Sequence, residues 1–171
     1  NRIGDKLYAV LQDPLVNEGS SNQGRRSRNV RVVEFDAISG QSTAQFVYQL
    51  QSIGILNAID PSTADDFPAT AQGRSIGLSA ITALSDTEFL VLERDNRGLG
   101  VEVTAVPLHK RVYRINILGA SNVQAVSLAG SDALPAGVVP VQKAGEVDLL
   151  AALRAQGHEI PEKIEGVAIG P

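Results

Sequence analysis

Two stretches of this chain return in the same order and at nearly the same spacing. Residues 7–13, LYAVLQD, match residues 89–95, FLVLERD, 82 positions on. Residues 31–36, RVVEFD, match residues 111–116, RVYRIN, 80 positions on. A third match sets Ser79-Ala80-Ile81 against Glu165-Gly166-Val167, 86 positions on. Repetition of this kind restricts the fold to copies of one supersecondary unit that bury their apolar faces against each other.

The unit is clearest at residues 77–95, GLSAITALSDTEFLVLERD, two apolar runs joined by Ser85-Asp86-Thr87. Apolar runs of this length between turn residues are the pattern of buried strands. Further strands are expected at residues 6–11, 29–37, 42–50, 111–118 and 163–169, with a short edge strand at 123–128. The polar stretch 17–29 reads as a loop, and 51–74 and 96–110 read as long connections. Residues 146–156, EVDLLAALRAQ, are the one expected helix, with acid in the first turn, Arg154 in the last and Gly157 placed as a C-cap. Repeated units of four short antiparallel strands make an all-β fold, a β-propeller. About two blades are expected, with long loop insertions and one short helix near the C-terminus. Residues 1–50 would supply strands b to d of one blade, 75–130 a second blade, and 163–171 the first strand of a third. A sandwich or open barrel is the alternative that the repeat disfavours.

Composition narrows the function. The 171 residues suffice for one domain with a real core, and 43% hydrophobic with 20% charged residues is ordinary for a globular protein. A net charge of −4 and a pI near 5.1 argue against generic nucleic-acid binding. No apolar run approaches the roughly 20 residues of a membrane span. The absence of Cys excludes disulfides, thiolate metal sites and Cys nucleophiles. The chain has no Met, opens on Asn1-Arg2-Ile3 and stops on Ile169-Gly170-Pro171. It is expected to be a fragment or processed piece whose partner is the rest of a parent propeller chain.

LYAVLQDPL (7–15), RVVEFDAISG (31–40), GLSAITALSDTEFLVLERD (77–95), KRVYRINI (110–117) and KIEGVAIGP (163–171) resemble, in this order, the bacterial "esterase-like activity of phytase" or phytase-like domain. The resemblance implies a secreted, periplasmic or cell-surface propeller. It also implies a metal-dependent phosphoesterase or phosphodiesterase acting on a phosphorylated small molecule or phosphodiester. A non-catalytic, calcium-stabilised surface or binding propeller is the alternative.

Propeller geometry would gather the starts of inner strands (Ser79, Glu165) and the ends of the next strands (Asp13, Glu93, Asp95) at one end of the blades. Calcium, or magnesium in its place, takes several oxygen ligands, and Glu165, Glu93, Asp95 and Asp13 are the candidates for them. Glu165 and Glu93 are the catalytic candidates, and Arg94 the group for a phosphate oxygen. A metal there would polarise the phosphoryl group and lower the pKa of a bound water. Strand alternation opposes part of this scheme, because it sets Glu93 and Asp95 on one side and Arg94 on the other. Strand-end carboxylates also serve turn amides or neighbouring arginines, and Asp13 before Pro14 reads as a turn residue. Glu165, an acid before Gly at the start of an apolar strand, has little packing reason to be there and is the first candidate. Other motifs carry less. The Arg25-Arg26-Ser27-Arg28 cluster reads as solvated loop. Asp60, Asp65 and Asp66 lack EF-hand spacing. His109 stands alone, and His158-Glu159 does not continue as HExxH. Residues 77–81, GLSAI, have Ile81 where a nucleophile elbow needs Gly.

Overall fold

The computed structural model describes residues 2–18, 23–59, 67–100, 106–128 and 132–170. It is mostly β, with two four-stranded antiparallel sheets whose strands lie in sequence order. The first sheet holds β1 (Arg2–Ile3), β2 (Lys6–Val10), β3 (Asn29–Asp36) and β4 (Ser42–Gln49). The second holds β5 (Ile76–Ala83), β6 (Glu88–Asp95), β7 (Lys110–Asn116) and β8 (Gln142–Asp148). Short helices α1 (Gln23–Arg26), α2 (Ile53–Ile59), α3 (Gln72–Ser75) and α4 (Leu149–Ala155) lie in the connections.

The repeat is a structural one. Residues 7–10, with 11–13 running on past the strand end, and residues 89–95 fall on β2 and β6, and residues 31–36 and 111–116 on β3 and β7, in the same place in each sheet. The β-branched and aromatic alternation of β3 and β6 suits a pleated strand with two buried faces. Tyr8, Val30, Val32 and Tyr48 of the first sheet meet Ile76, Leu78, Phe89, Val91 and Ile115 of the second in one core. Tyr8 and Phe89 touch across it with ring centroids 4.7 Å apart. The sheets are also joined through backbone, where Leu78 N donates to Gln12 O at 2.9 Å.

Four sequence expectations are corrected. The fourth strand of the second sheet is β8, not residues 123–128. Val123 and Leu128 are apolar because they pack on Val47, against the other face of the first sheet. The insertion between β7 and β8 carries them there, and Val123 N and Val141 N donate to Gln45 O and Val47 O of β4. This covers the backbone of an edge strand, a common protection against stray pairing. The helix begins at Leu149, because the Asp148 carboxylate accepts from Ala151 N and caps it, leaving Glu146 and Val147 in β8. Residues 163–169 run beside the second sheet without forming a strand. A strand not expected from the sequence precedes β2 in the first sheet, where Arg2–Ile3 pairs with it through a turn in which Gly4 has φ 55°.

Phe89 has no exposed surface and stands at the junction of the two sheets. Phe89→Ala is expected to lower the unfolding free energy by about 3–5 kcal/mol, through lost transfer energy plus a cavity. Denaturant titration followed by circular dichroism measures it.

Candidate functional site

Strand β6 sends its side chains to two different places. Phe89, Val91 and Glu93 point into the core between the sheets, Asp95 turns the same way at the strand end towards the start of β7, and Arg94 points the other way, as pleating requires.

Glu93 is wholly buried. Its Oε2 accepts from Tyr48 OH at 2.6 Å and from Lys143 Nζ at 2.7 Å. Its Oε1 accepts from Gln51 N at 2.8 Å and lies 2.7 Å from His109 Nε2. Lys143 Nζ also sits between two ring faces, 4.4 Å from the Tyr48 centroid and 3.9 Å from that of Tyr113. Burial alone would raise the Glu93 pKa. The His109 hydrogen bond and the Lys143 charge outweigh it and hold the carboxyl down at about 2. Burial pushes the Tyr48 hydroxyl up, and the Glu93 charge adds to the effect. Burial pulls the Lys143 ammonium down against the attraction of Glu93.

Asp95 is equally buried and equally occupied. Its Oδ2 accepts from Leu108 N at 2.6 Å and His109 N at 2.8 Å, and its Oδ1 from Lys110 Nζ at 2.6 Å. Lys110 Nζ reaches on to Arg97 O and Glu162 O. Asp95 therefore fixes the return of the chain from the 96–110 connection into β7.

Arg94 lies on the opposite face among a different set of groups. Its Nε donates to Ser79 Oγ at 2.8 Å, its Nη1 to Asn96 Oδ1, and its Nη2 to Glu165 Oε1 at 3.2 Å. The Arg94 side chain is 1% exposed, whereas that of Glu165 is 61% exposed. Asp13, just past the end of β2, lies over the start of β5. A Cβ on Gly77 would stand 3.0 Å from Asp13 Oδ1 and from Gln12 O, a tight contact that the missing side chain of glycine avoids. Gly77 is the registered partner of Arg94, which puts Asp13 above that pair. Burial raises the Asp13 pKa, while Arg94 and Arg74 oppose the rise.

The expected gathering is thus half realised. Ser79, Arg94 and Glu165 meet, with Asp13 beside them, while Glu93 and Asp95 are turned inward. The four acids do not fit a shared calcium or magnesium ion. The atoms that surround Glu93 and Asp95 are N–H, O–H and ammonium donors, which are partners for an anion. Among the described residues no group of three or more His, Asp and Glu side chains is placed to hold a metal ion. Asp60, Asp65 and Asp66 lie outside the described residues. Sequence reasoning missed Asn96, Lys143, Tyr48 and the engagement of His109. Asn96 follows the ERD run directly and was open to notice; Lys143 and Tyr48 are distant in sequence and carry no motif.

A family model described as "Phytase-like: Esterase-like activity of phytase" matches residues 1–171. No curated protein and no solved structure matches the chain.

The depressed pKa of Glu93 has a definite sign. Its stabilising contribution is present above the ordinary carboxyl value of 4.5 and is lost as pH falls from there through about 2. Glu93→Gln is expected to cost about 3–5 kcal/mol at neutral pH, because it leaves Lys143 buried without its counter-charge. It is also expected to flatten the fall of stability between these two pH values. Unfolding free energies across this range for both proteins measure the two effects.

Proposed function

The chain belongs to the phytase-like family, described as esterase-like activity of phytase, and on that premise we propose that it is a hydrolase domain for phosphoric esters whose phosphoryl group is held by Arg94. One observation carries this reading. Arg94 is gripped by two neutral groups, Ser79 and Asn96, and its charge is met at hydrogen-bond distance by the solvent-exposed carboxylate of Glu165, with Asp13 nearby. A guanidinium fixed in this way, itself buried but with one edge covered by the exposed Glu165 carboxylate, suits a phosphoryl oxygen once that carboxylate moves aside. It would position the ester and stabilise charge as it develops on the phosphoryl oxygens. Glu165, beside that position, is the group to accept the proton of an attacking water.

Each sheet is proposed as one propeller blade, supported by the identical strand order in the two. The rest of the parent chain would complete the ring, in a secreted, periplasmic or cell-surface setting. No helix among the described residues is long and apolar enough to cross a membrane. Asp13 and Glu165 are the carboxylates left for a divalent cation, short of the roughly six to eight oxygens that calcium takes. The reading therefore rests on Arg94.

The complete occupation of Glu93 and Asp95 by protein donors favours a second reading, a binding propeller that uses the same guanidinium without turnover. The purified protein, given phytate or a model phosphodiester with calcium, with magnesium or with chelator, separates the two. Hydrolysis that drops about 10²-fold or more in Arg94→Lys and in Glu165→Ala is expected. Turnover indifferent to both substitutions would overturn the assignment, and phosphate binding without turnover would select the second reading.

A further inference from the structure

Residues 163–170 cross beside the second sheet as an extended segment outside any strand. The segment is held at both ends. Upstream, Lys110 Nζ donates to Glu162 O at 2.6 Å, and Leu99 exchanges backbone hydrogen bonds with Ile160 and Glu162. Downstream, Thr82 Oγ1 donates to Val167 O at 2.6 Å. Ile164 and Val167 line one apolar groove with Leu90 and Val112 of the sheet and Leu153 of α4. Between these anchors stands Glu165, which pairs with Arg94 through one oxygen.

We propose that Glu165 is a resident anion, seated on Arg94 where the substrate's phosphoryl group binds, so that a phosphate dianion displaces it and loosens residues 163–170. The proposal rests on the reading of Arg94 as the phosphoryl anchor and adds the order of events there. Arg94 Nε and Nη1 are committed to Ser79 and Asn96, which leaves the Nη2 edge to whichever anion is present. The Glu165 carboxylate offers that edge one oxygen at 3.2 Å while most of its side chain faces water. An ion pair with so exposed a partner is weak. A phosphate dianion brings more charge and more acceptor oxygens to the same donor. Once displaced, Glu165 stays tethered by the anchors at Glu162 and Val167. Its carboxylate is then free to take a proton from water only when an ester occupies Arg94, which ties the base to the presence of substrate.

Inorganic phosphate, titrated at constant ionic strength into the native protein, Glu165→Gln and Arg94→Lys, tests this by calorimetry. Removing the competing charge is expected to tighten phosphate binding roughly two- to fivefold in Glu165→Gln, while Arg94→Lys weakens it. Trypsin supplies a second readout, because Lys163 lies inside the segment. Phosphate is expected to speed cleavage after Lys163 in the native protein and to leave the already faster cleavage of Glu165→Gln unchanged. If Glu165→Gln binds phosphate no more tightly than the native protein while Arg94→Lys still loses affinity, displacement is overturned and the anchor stands. If phosphate binds neither the native protein nor Glu165→Gln, the anchor falls as well.

Discussion

A fully buried carboxylate at the joint between two sheets must be answered by donors from both, and Glu93 is answered in this way. Tyr48 and Gln51 come from the first sheet and the connection that leaves it; His109 and Lys143 come from the second. Each donor fixes a register. Tyr48 sets β4, Lys143 sets β8, and His109 sets the entry to β7. Burying a lone charge costs several kcal/mol, so any packing that separates one of these donors from Glu93 is penalised. The apolar contacts around Phe89 and Tyr8 would tolerate some sliding of one sheet over the other; the Glu93 network does not. Lys143, clasped between the Tyr48 and Tyr113 rings, extends the same constraint to the aromatic part of the interface.

Asp95 repeats the principle at the strand end. It collects two backbone N–H groups and the Lys110 ammonium, and so closes the long connection before β7. Between these two acids, Arg94 is directed to the other face by nothing more than the pleat. Three consecutive charged residues thus serve an interior joint, a buried cluster capped by the exposed Glu165, and a loop anchor.

How much of this was legible follows from the range of each signal. The repeat and the hairpin of residues 77–95 are local patterns, and the structure has them where the sequence places them. The separation of Glu93 and Asp95 from Arg94 was also legible, because alternation is a property of any strand. The strand expected at 123–128 was not what it seemed: Val123 and Leu128 give the same apolar signal whether they pair in a sheet or pack on Val47 from outside. β8 was hidden for the opposite reason. Its sequence, QKAGEVD, is polar, with much of it exposed at a sheet edge, so no apolar run marks it. The engagement of Lys143 with Glu93 spans 50 residues and depends wholly on the tertiary arrangement. The meeting of Ser79, Arg94 and Glu165 could be expected only because the repeat assigned equivalent places to Ser79 and Glu165.

The insertion between β7 and β8 bears on how the chain assembles. It leaves the second sheet, bonds to β4 of the first, and only then returns to supply β8. In the folded chain the last strand of the second sheet is thus reached through a segment laid along the edge of the first. Closure of so long a loop is an entropic cost met before β8 pairs. The two sheets are consequently tied together by more than their shared core, and opening β4 removes bonds that hold the segment leading to β8. Copies related by a repeat usually touch only through their facing sides; here a single stretch of some two dozen residues between β7 and β8 also ties the later copy to the edge strand of the earlier one.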